Sequence, residues 1–315
     1  MVPIWLLSIR KVKETVPREK LPLLGIAAAF SFLAMMFNIP LPGGTTGHAV
    51  GGTLIAILFG PYAACLAVSV ALLIQALFFG DGGILAFGAN CFNMAFVLPF
   101  TGYFIYHGLK KVISSDTVAA GIGAYVGINA AAFCAAVEFG IQPLLFTDAA
   151  GQALYCPYPL WISLPAMMIG HLTLFGLAEV VFTTGVLAYL RKTSPDLFQL
   201  AAPASSNKSL FGLLAALIVA TPLGLLAAGT AWGEWDAEEL ADTDFFGSAL
   251  GYTPAGMENG FSFDVLMPDY AIAGLPDAAG YIISAIVGTA LLIIIFKIIA
   301  SLLPSRPTFD TPAQH

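Results

Sequence analysis

Pro40-Leu41-Pro42-Gly43-Gly44-Thr45-Thr46-Gly47-His48-Ala49-Val50-Gly51-Gly52 interrupts a chain built otherwise of long apolar runs. It sets one imidazole in a glycine-rich loop, where missing β-carbons let the backbone approach a small ligand closely. A second loop follows one apolar run later, from Gly80-Asp81-Gly82-Gly83 to Gly88-Ala89-Asn90. Two polar, glycine-rich loops between apolar segments point to a metal-ion site at one end of a helical bundle.

The surrounding composition sets the solvent. Of 315 residues 58% are hydrophobic and 10% charged, against roughly a quarter charged in ordinary soluble domains. Mean hydropathy is +0.87, and uncharged runs approach the ~20 residues that span a bilayer core. The expected class is an all-α integral membrane protein: a six-to-seven-helix bundle plus a two-helix C-terminal appendage with a large external loop. The predicted spans are 21–37, 49–59, 62–79, 90–109, 117–140, 163–190, 209–229 and 279–303. Segment 49–59 reads as a half-length helix joined to the next at Gly60-Pro61.

Residues 1–12 form an apolar stub ending in basic residues. At ~1.5 Å per residue it covers roughly 18 Å, too little to cross alone. It reads as the second half of a first helix, in a chain that starts about 20 residues late. It is not a signal peptide, because Arg10, Lys11 and Lys13 follow the apolar run instead of preceding it. Cys65, Cys91, Cys134 and Cys156 lie far apart, with no Cys-x-x-Cys, and read as small hydrophobes and not as a disulfide framework or thiolate site.

Basic residues mark cytoplasmic ends. They cluster at Arg10–Lys20, Lys110-Lys111, Arg191-Lys192 with Lys208, and Arg306. Placing all of them inside is consistent with the spans above if 49–59 crosses, and puts residues 38–48, 80–89, 141–162 and 230–278 outside. The linker 193–208, small, polar and proline-bearing, separates a core at 1–192 from an appendage at 209–315. Loop 230–278 holds ten of the 19 acidic residues and no Lys or Arg. Such a loop enriches cations near it; the plainer reading is that acidic residues merely avoid the cytoplasmic side, the positive-inside rule being chiefly about Lys and Arg. No internal repeat is evident.

His48 is the leading metal-ligand candidate, since imidazole suits nickel, cobalt, copper and zinc, whereas hard ions want carboxylate clusters. A lone loop histidine is more often a hydrogen-bonding residue, so the glycines on both sides matter. Gln75, Asn90 and Asn93 flank the second loop and could orient His48 through its other ring nitrogen; helix–helix adhesion is the plainer role for Asn93. Asp81 contributes to the site or only shapes a turn. Glu138 lines a cation path or makes a structural hydrogen bond. His171 and Glu179, eight apart on one helix, share a side and read as packing or coupling groups, not ligands.

The runs Phe37-Asn38-Ile39-Pro40-Leu41-Pro42-Gly43-Gly44-Thr45-Thr46-Gly47-His48 and Ile74-Gln75-Ala76-Leu77-Phe78-Phe79-Gly80-Asp81-Gly82-Gly83-Ile84-Leu85-Ala86-Phe87-Gly88-Ala89-Asn90 resemble the CbiM/NikM family. These are substrate-binding components of energy-coupling-factor cobalt and nickel importers. The resemblance covers residues 1–192. The tail, through Thr221-Pro222-Leu223-Gly224, Trp232-Gly233-Glu234-Trp235 and Pro268-Asp269-Tyr270, resembles the NikN-like two-span partner. The resemblance implies Ni²⁺ or Co²⁺ as transported substrate, no resident cofactor, and His48 as loop ligand. It also implies partners: a membrane coupling subunit and ATP-binding cassettes in a cell membrane. The family's other nitrogens come from a Met-His-Ile-Pro N-terminus, where this chain reads Met1-Val2-Pro3.

No Gly-x-x-x-x-Gly-Lys-Ser/Thr loop occurs, so the chain is not its own ATPase by that route. No nucleic-acid partner is expected; the lipid bilayer is. Two rivals remain: a self-sufficient secondary transporter or channel, expected to show inverted repeats, and an intramembrane metal hydrolase, expected to carry denser motifs such as His-Glu-x-x-His.

Overall fold

The computed structural model describes residues 1–41, 45–198, 207–227, 229–235, 240, 250–261 and 263–303. Pro42-Gly43-Gly44, much of the 193–208 linker, Asp236, Glu238, Glu239, Asp242, Asp244, Arg306 and His315 lie outside the described residues.

The chain is all-α, apart from one small hairpin. Helices α1 (Val2–Thr15), α2 (Leu21–Met35), α3 (Gly52–Phe59) and α4 (Pro61–Ile74) come first. Then follow α5 (Phe87–Asn90), α6 (Leu98–Leu109), α7 (Asp116–Leu145), α8 (Leu160–Gly170), α9 (Gly176–Thr193), α10 (Lys208–Ala220) and, after a four-residue turn of helix at Ala255–Glu258, α11 (Asp277–Leu302). Among the described residues, five stretches are long and apolar enough to cross a membrane: Pro61–Phe79, Asp116–Leu145, Leu160–Thr193, Lys208–Leu226 and Asp277–Leu302. This is a multi-pass membrane protein. The short strands β1 (Ile39–Leu41) and β2 (Thr45–Gly47) pair antiparallel, Ile39 opposite Gly47.

Helix α2 is the central post. Apart from Pro22, Leu21–Met36 is buried all round, as expected of a helix with apolar residues on every face. The last helix packs against it closely enough that a β-carbon on Gly25 would lie 3.0 Å from Phe296 Cβ, and one on Gly288 would lie 2.3 Å from the Phe32 ring. The C-terminal appendage therefore shares the core.

Eight residues of α3 rise only about 12 Å, less than half a bilayer core. The segment before it makes up the difference. Val50 and Gly51 sit against Glu179, which lies 19 positions after the start of the Leu160–Thr193 helix, about 28 Å along it. The first glycine-rich loop thus reaches down between the helices, and α3 carries the chain onward to Gly60, where φ of +87° breaks the helix and Pro61 starts the next.

Small residues let α3, α6 and α7 touch backbone to backbone. A β-carbon on Gly123 would lie 2.7 Å from Gly102 O, and one on Gly127 2.7 Å from Leu98 O. At the basic end, Asp116 is clasped by Lys110 and Arg191, tying α7 to the ends of α6 and α9.

Gly127→Ala should lower thermal stability in detergent by about 1–3 kcal/mol through overpacking. Gly185→Ala, where a β-carbon meets nothing within 4 Å, should leave the melting temperature unchanged or raise it. Equal behaviour of the two would refute the close helix contact.

Candidate metal-ion site

Three helices widen into π-turns beside the glycine-rich loops: Gln75–Phe79 after α4, Cys91–Val97 before α6, and His171–Phe175 between α8 and α9. Wide turns of this kind re-aim side chains and concentrate at functional sites. Here they carry Gln75, Asn93 and His171.

The loop around His48 is fixed by its backbone. The Glu179 carboxylate, fully buried, accepts hydrogen bonds from Val50 N at 2.7 Å and from Gly51 N at 2.9 and 3.1 Å. These amides open α3, so the carboxylate caps a helix N-terminus, where the backbone dipole favours negative charge. From the other side, Ser31 Oγ donates to Val50 O at 2.7 Å. Gly51 adopts φ of +72°, and a β-carbon there would strike Phe30 at 2.5 Å. Phe175 covers Gly47 just as tightly, at 2.6 Å.

His48 is half-buried, and its Nδ1 faces Ala49 O at 3.3 Å. A carbonyl only accepts, so this contact favours the tautomer with hydrogen on Nδ1 and the lone pair on Nε2, the form a metal ion requires. Burial holds the imidazole below its ordinary value, with the charge of Asp81 pulling the other way.

The amides expected to orient His48 serve other partners. Gln75 Nε2 donates to Asp81 Oδ2 at 2.7 Å and to Tyr270 Oη at 2.9 Å. Asn90 Nδ2 donates to Gly82 O at 3.0 Å and shapes the second loop. Asn93 Nδ2 donates to Glu138 Oε2 at 2.7 Å, joining the helix before α6 to α7. The ring is oriented by Ala49, not by these side chains. Asp81 does more than shape a turn, because the Tyr270 hydroxyl also donates to its Oδ2. His171 donates from Nδ1 to Met167 O at 2.8 Å and meets Phe175 edge-on at 5.1 Å; its ring is within Coulombic reach of His48.

The appended region packs against both loops. Thr46 N donates to Thr230 O at 3.2 Å, and Ala231 bridges to Thr46. Tyr270 is 5% exposed, stacks on Phe79 at 4.8 Å and is preceded by a Met267 N to Phe78 O bond of 2.9 Å. Burial, then Asp81, hold its phenol well above the ordinary value. Glu234 keeps solvent contact on its surface, yet the protein walls around it, then Asp81 and Asp269, push its carboxyl up to about 8. Among the described residues no three of His, Cys, Asp and Glu stand close enough to hold a metal ion together.

Sequence reasoning missed the clasp made by Glu179 and the contributions of Tyr270 and Glu234. The first had a signal: an intramembrane carboxylate needs a partner, and none of the basic residues lies near it in its span. The other two depend on tertiary contacts about 190 positions away, Tyr270 with Asp81 and Ala231 with Thr46, which no local pattern encodes.

Glu179→Ala should strand two buried amides, at about 1–3 kcal/mol each, lowering thermal stability and exposing loop 45–51 to hydrogen exchange. Unchanged protection of Val50 and Gly51 in that variant would contradict the clasp.

Residues 1–197 match the family described as the cobalt uptake substrate-specific transmembrane region, CbiM, and residues 206–305 match the PDGLE domain. The chain is 50% identical over 300 residues to a probable fused nickel transport protein, LarMN, of Lactiplantibacillus plantarum, covering 95% of this chain and 90% of that one. It is 47% identical over 310 residues to the fused nickel transport protein NikMN of Rhodobacter capsulatus, covering 93% and 89%. A cobalt transport protein CbiM of Geobacter sulfurreducens is 31% identical over 237 residues, covering 70% and 66%. A crystal structure of a truncated transition metal transporter superposes with a TM-score of 0.59 at 50% identity, covering 61% of this chain and 90% of that one. This chain belongs to the CbiM family of nickel and cobalt transport proteins, with a PDGLE domain fused behind it.

Proposed function

We propose that this protein is the substrate-capturing membrane component of an ATP-driven nickel or cobalt importer. It takes the divalent ion from the external side through His48. The observation that carries the reading is the clasp of Glu179 and Ser31 on either side of Val50. It fixes the loop that bears a partly buried imidazole whose Nε2 has no hydrogen-bond partner among the described residues. A rigid loop next to an unpartnered nitrogen is what selective capture of a borderline-soft dication requires.

Several features fit this role. The relatives are named as nickel and cobalt transport proteins. The sequence lacks a phosphate loop of its own, so energy comes from partner ATP-binding cassettes acting through a membrane coupling subunit. The basic residues gather at one end, with Asp116, Lys110 and Arg191, and the acidic loop 230–278 belongs to the other, external end. The metal-binding unit is residues 1–192 and the appended unit 209–315, joined by 193–208. Nickel is favoured as substrate by the fused relatives.

Cells expressing the protein with its partner subunits should accumulate radiolabelled nickel, and His48→Ala should reduce accumulation to the level of cells lacking the protein. The purified full-length protein should lose bound nickel in the same variant while keeping its melting temperature. Retained nickel would defeat His48 as ligand, and uptake by this chain without ATPase subunits would favour a secondary transporter.

A further inference from the structure

Near His48 the fold gathers a second set of oxygen-bearing groups, brought there by three separate segments. Ala231 bridges to Thr46, two residues before His48. Glu234 ends the same turn, its amide donating to Ala231 O at 3.0 Å. Gly233 makes that turn possible at φ of +100°, where a β-carbon would lie 2.3 Å from the Phe139 ring. From the other direction, the bonds of Tyr270 to Asp81 and Gln75 bring the neighbouring Asp269 to the second loop. Glu234 is within Coulombic reach of Asp81 and Asp269, and Asp81 of His48. Loops 38–48, 80–89 and 230–278 contain no Lys or Arg that could balance these carboxylates.

A separate observation points to a cation. Gln75 is 2% exposed. Its Nε2 is used twice, but its Oε1 has no hydrogen-bond partner among the described residues. Lying across the same amide, that oxygen is no more than about 5 Å from Asp81 Oδ2. A buried carbonyl oxygen left without a donor beside a carboxylate is costly. The water shell of a cation would satisfy it.

The spacing decides how such an ion is held. No three acidic or imidazole groups among the described residues are close enough to coordinate a bare ion. Carboxylates at wider spacing hold a hydrated ion through its own waters, which serve nearly as well as direct hydrogen bonds.

We propose that Asp81, Glu234 and Asp269, with Gln75 Oε1, form a staging site that holds a hydrated divalent transition-metal ion before His48 captures it. This inference rests on the reading of His48 as the ligand that strips and keeps the ion. The staging site acts on the rate of arrival, since a cluster of like charge concentrates counter-ions. It therefore shows in association kinetics and their salt dependence, and the final occupancy stays with His48.

The test uses the full-length protein in nanodiscs and Ni²⁺ alone, at pH 8, with association followed by stopped flow. Asp81→Asn and Glu234→Gln should each slow association about three- to tenfold at low salt, flatten its dependence on ionic strength, and leave final nickel occupancy intact. Glu234→Asp should restore the rate. Glu258→Gln removes the same charge from an exposed position in the same loop and should leave the rate unchanged. Wild-type association rates in both Asp81→Asn and Glu234→Gln, or an equal slowing in Glu258→Gln, would overturn the staging site. Full nickel retention by His48→Ala would defeat the ligand assignment instead, and the rate comparison, read with His48 present, would still decide the staging site.

Discussion

One carboxylate organises the loop that bears His48. Glu179 is fully buried and satisfies the two amides that open α3. Without it, those amides would face an apolar interior with no water to replace the bond. With it, the chain can descend between the helices as irregular backbone, which a membrane protein tolerates only where protein supplies the missing partners. The position of His48 follows from this bond. The imidazole is two residues from Val50, and Gly47 before it and Gly51 after it are wedged against Phe175 and Phe30. Neither glycine could carry a side chain without moving an aromatic ring, so the loop has few alternative paths.

Much of the architecture was legible because apolar periodicity and helix breakers are local signals. Gly60-Pro61 ends one helix and starts another as their chemistry dictates. The predicted spans 62–79, 117–140, 163–190, 209–229 and 279–303 correspond to the five membrane-length helices, with shifts of only a few residues at most ends. The half-length 49–59 is real, but its reason was not visible: the preceding loop already covers part of the depth. Composition marks Ala49-Val50-Gly51-Gly52 as apolar and flexible, and cannot say that a carboxylate from a helix about 130 positions away will hold it.

The site was legible to the level of residue type and not of pairing. Gln75, Asp81, Asn90 and Glu138 are all close to the loops or the helices that frame them, yet each serves a partner other than the His48 ring. An amide side chain has four hydrogen-bonding positions and no preference written in sequence for which group takes them. Tyr270 shows the limit most clearly. It follows Asp269 with both residues at positive φ, +50° and +61°, conformations that cost energy outside glycine and persist only where the surroundings hold them. The bonds to Asp81 and Gln75, the stacking on Phe79 and the bond from Ser284 Oγ to Tyr270 O at 3.0 Å supply that hold.

That arrangement gives the fused PDGLE domain a physical reason to share a chain with the CbiM region. Its Thr230–Ala231 edge binds the strand leading to His48, its Tyr270 binds the loop bearing Asp81, and its last helix packs along α2. Each contact is small, and a polar bond between separate proteins in a membrane contributes on the order of 1 kcal/mol or less. Fusion removes the cost of bringing the two parts together and raises their effective concentration, so weak contacts suffice to hold the outer region in place. The appended domain is anchored at α2 through its apolar helix, and it meets the two loops through hydrogen bonds to Thr46, Asp81 and Gln75 and through the stacking of Tyr270 on Phe79.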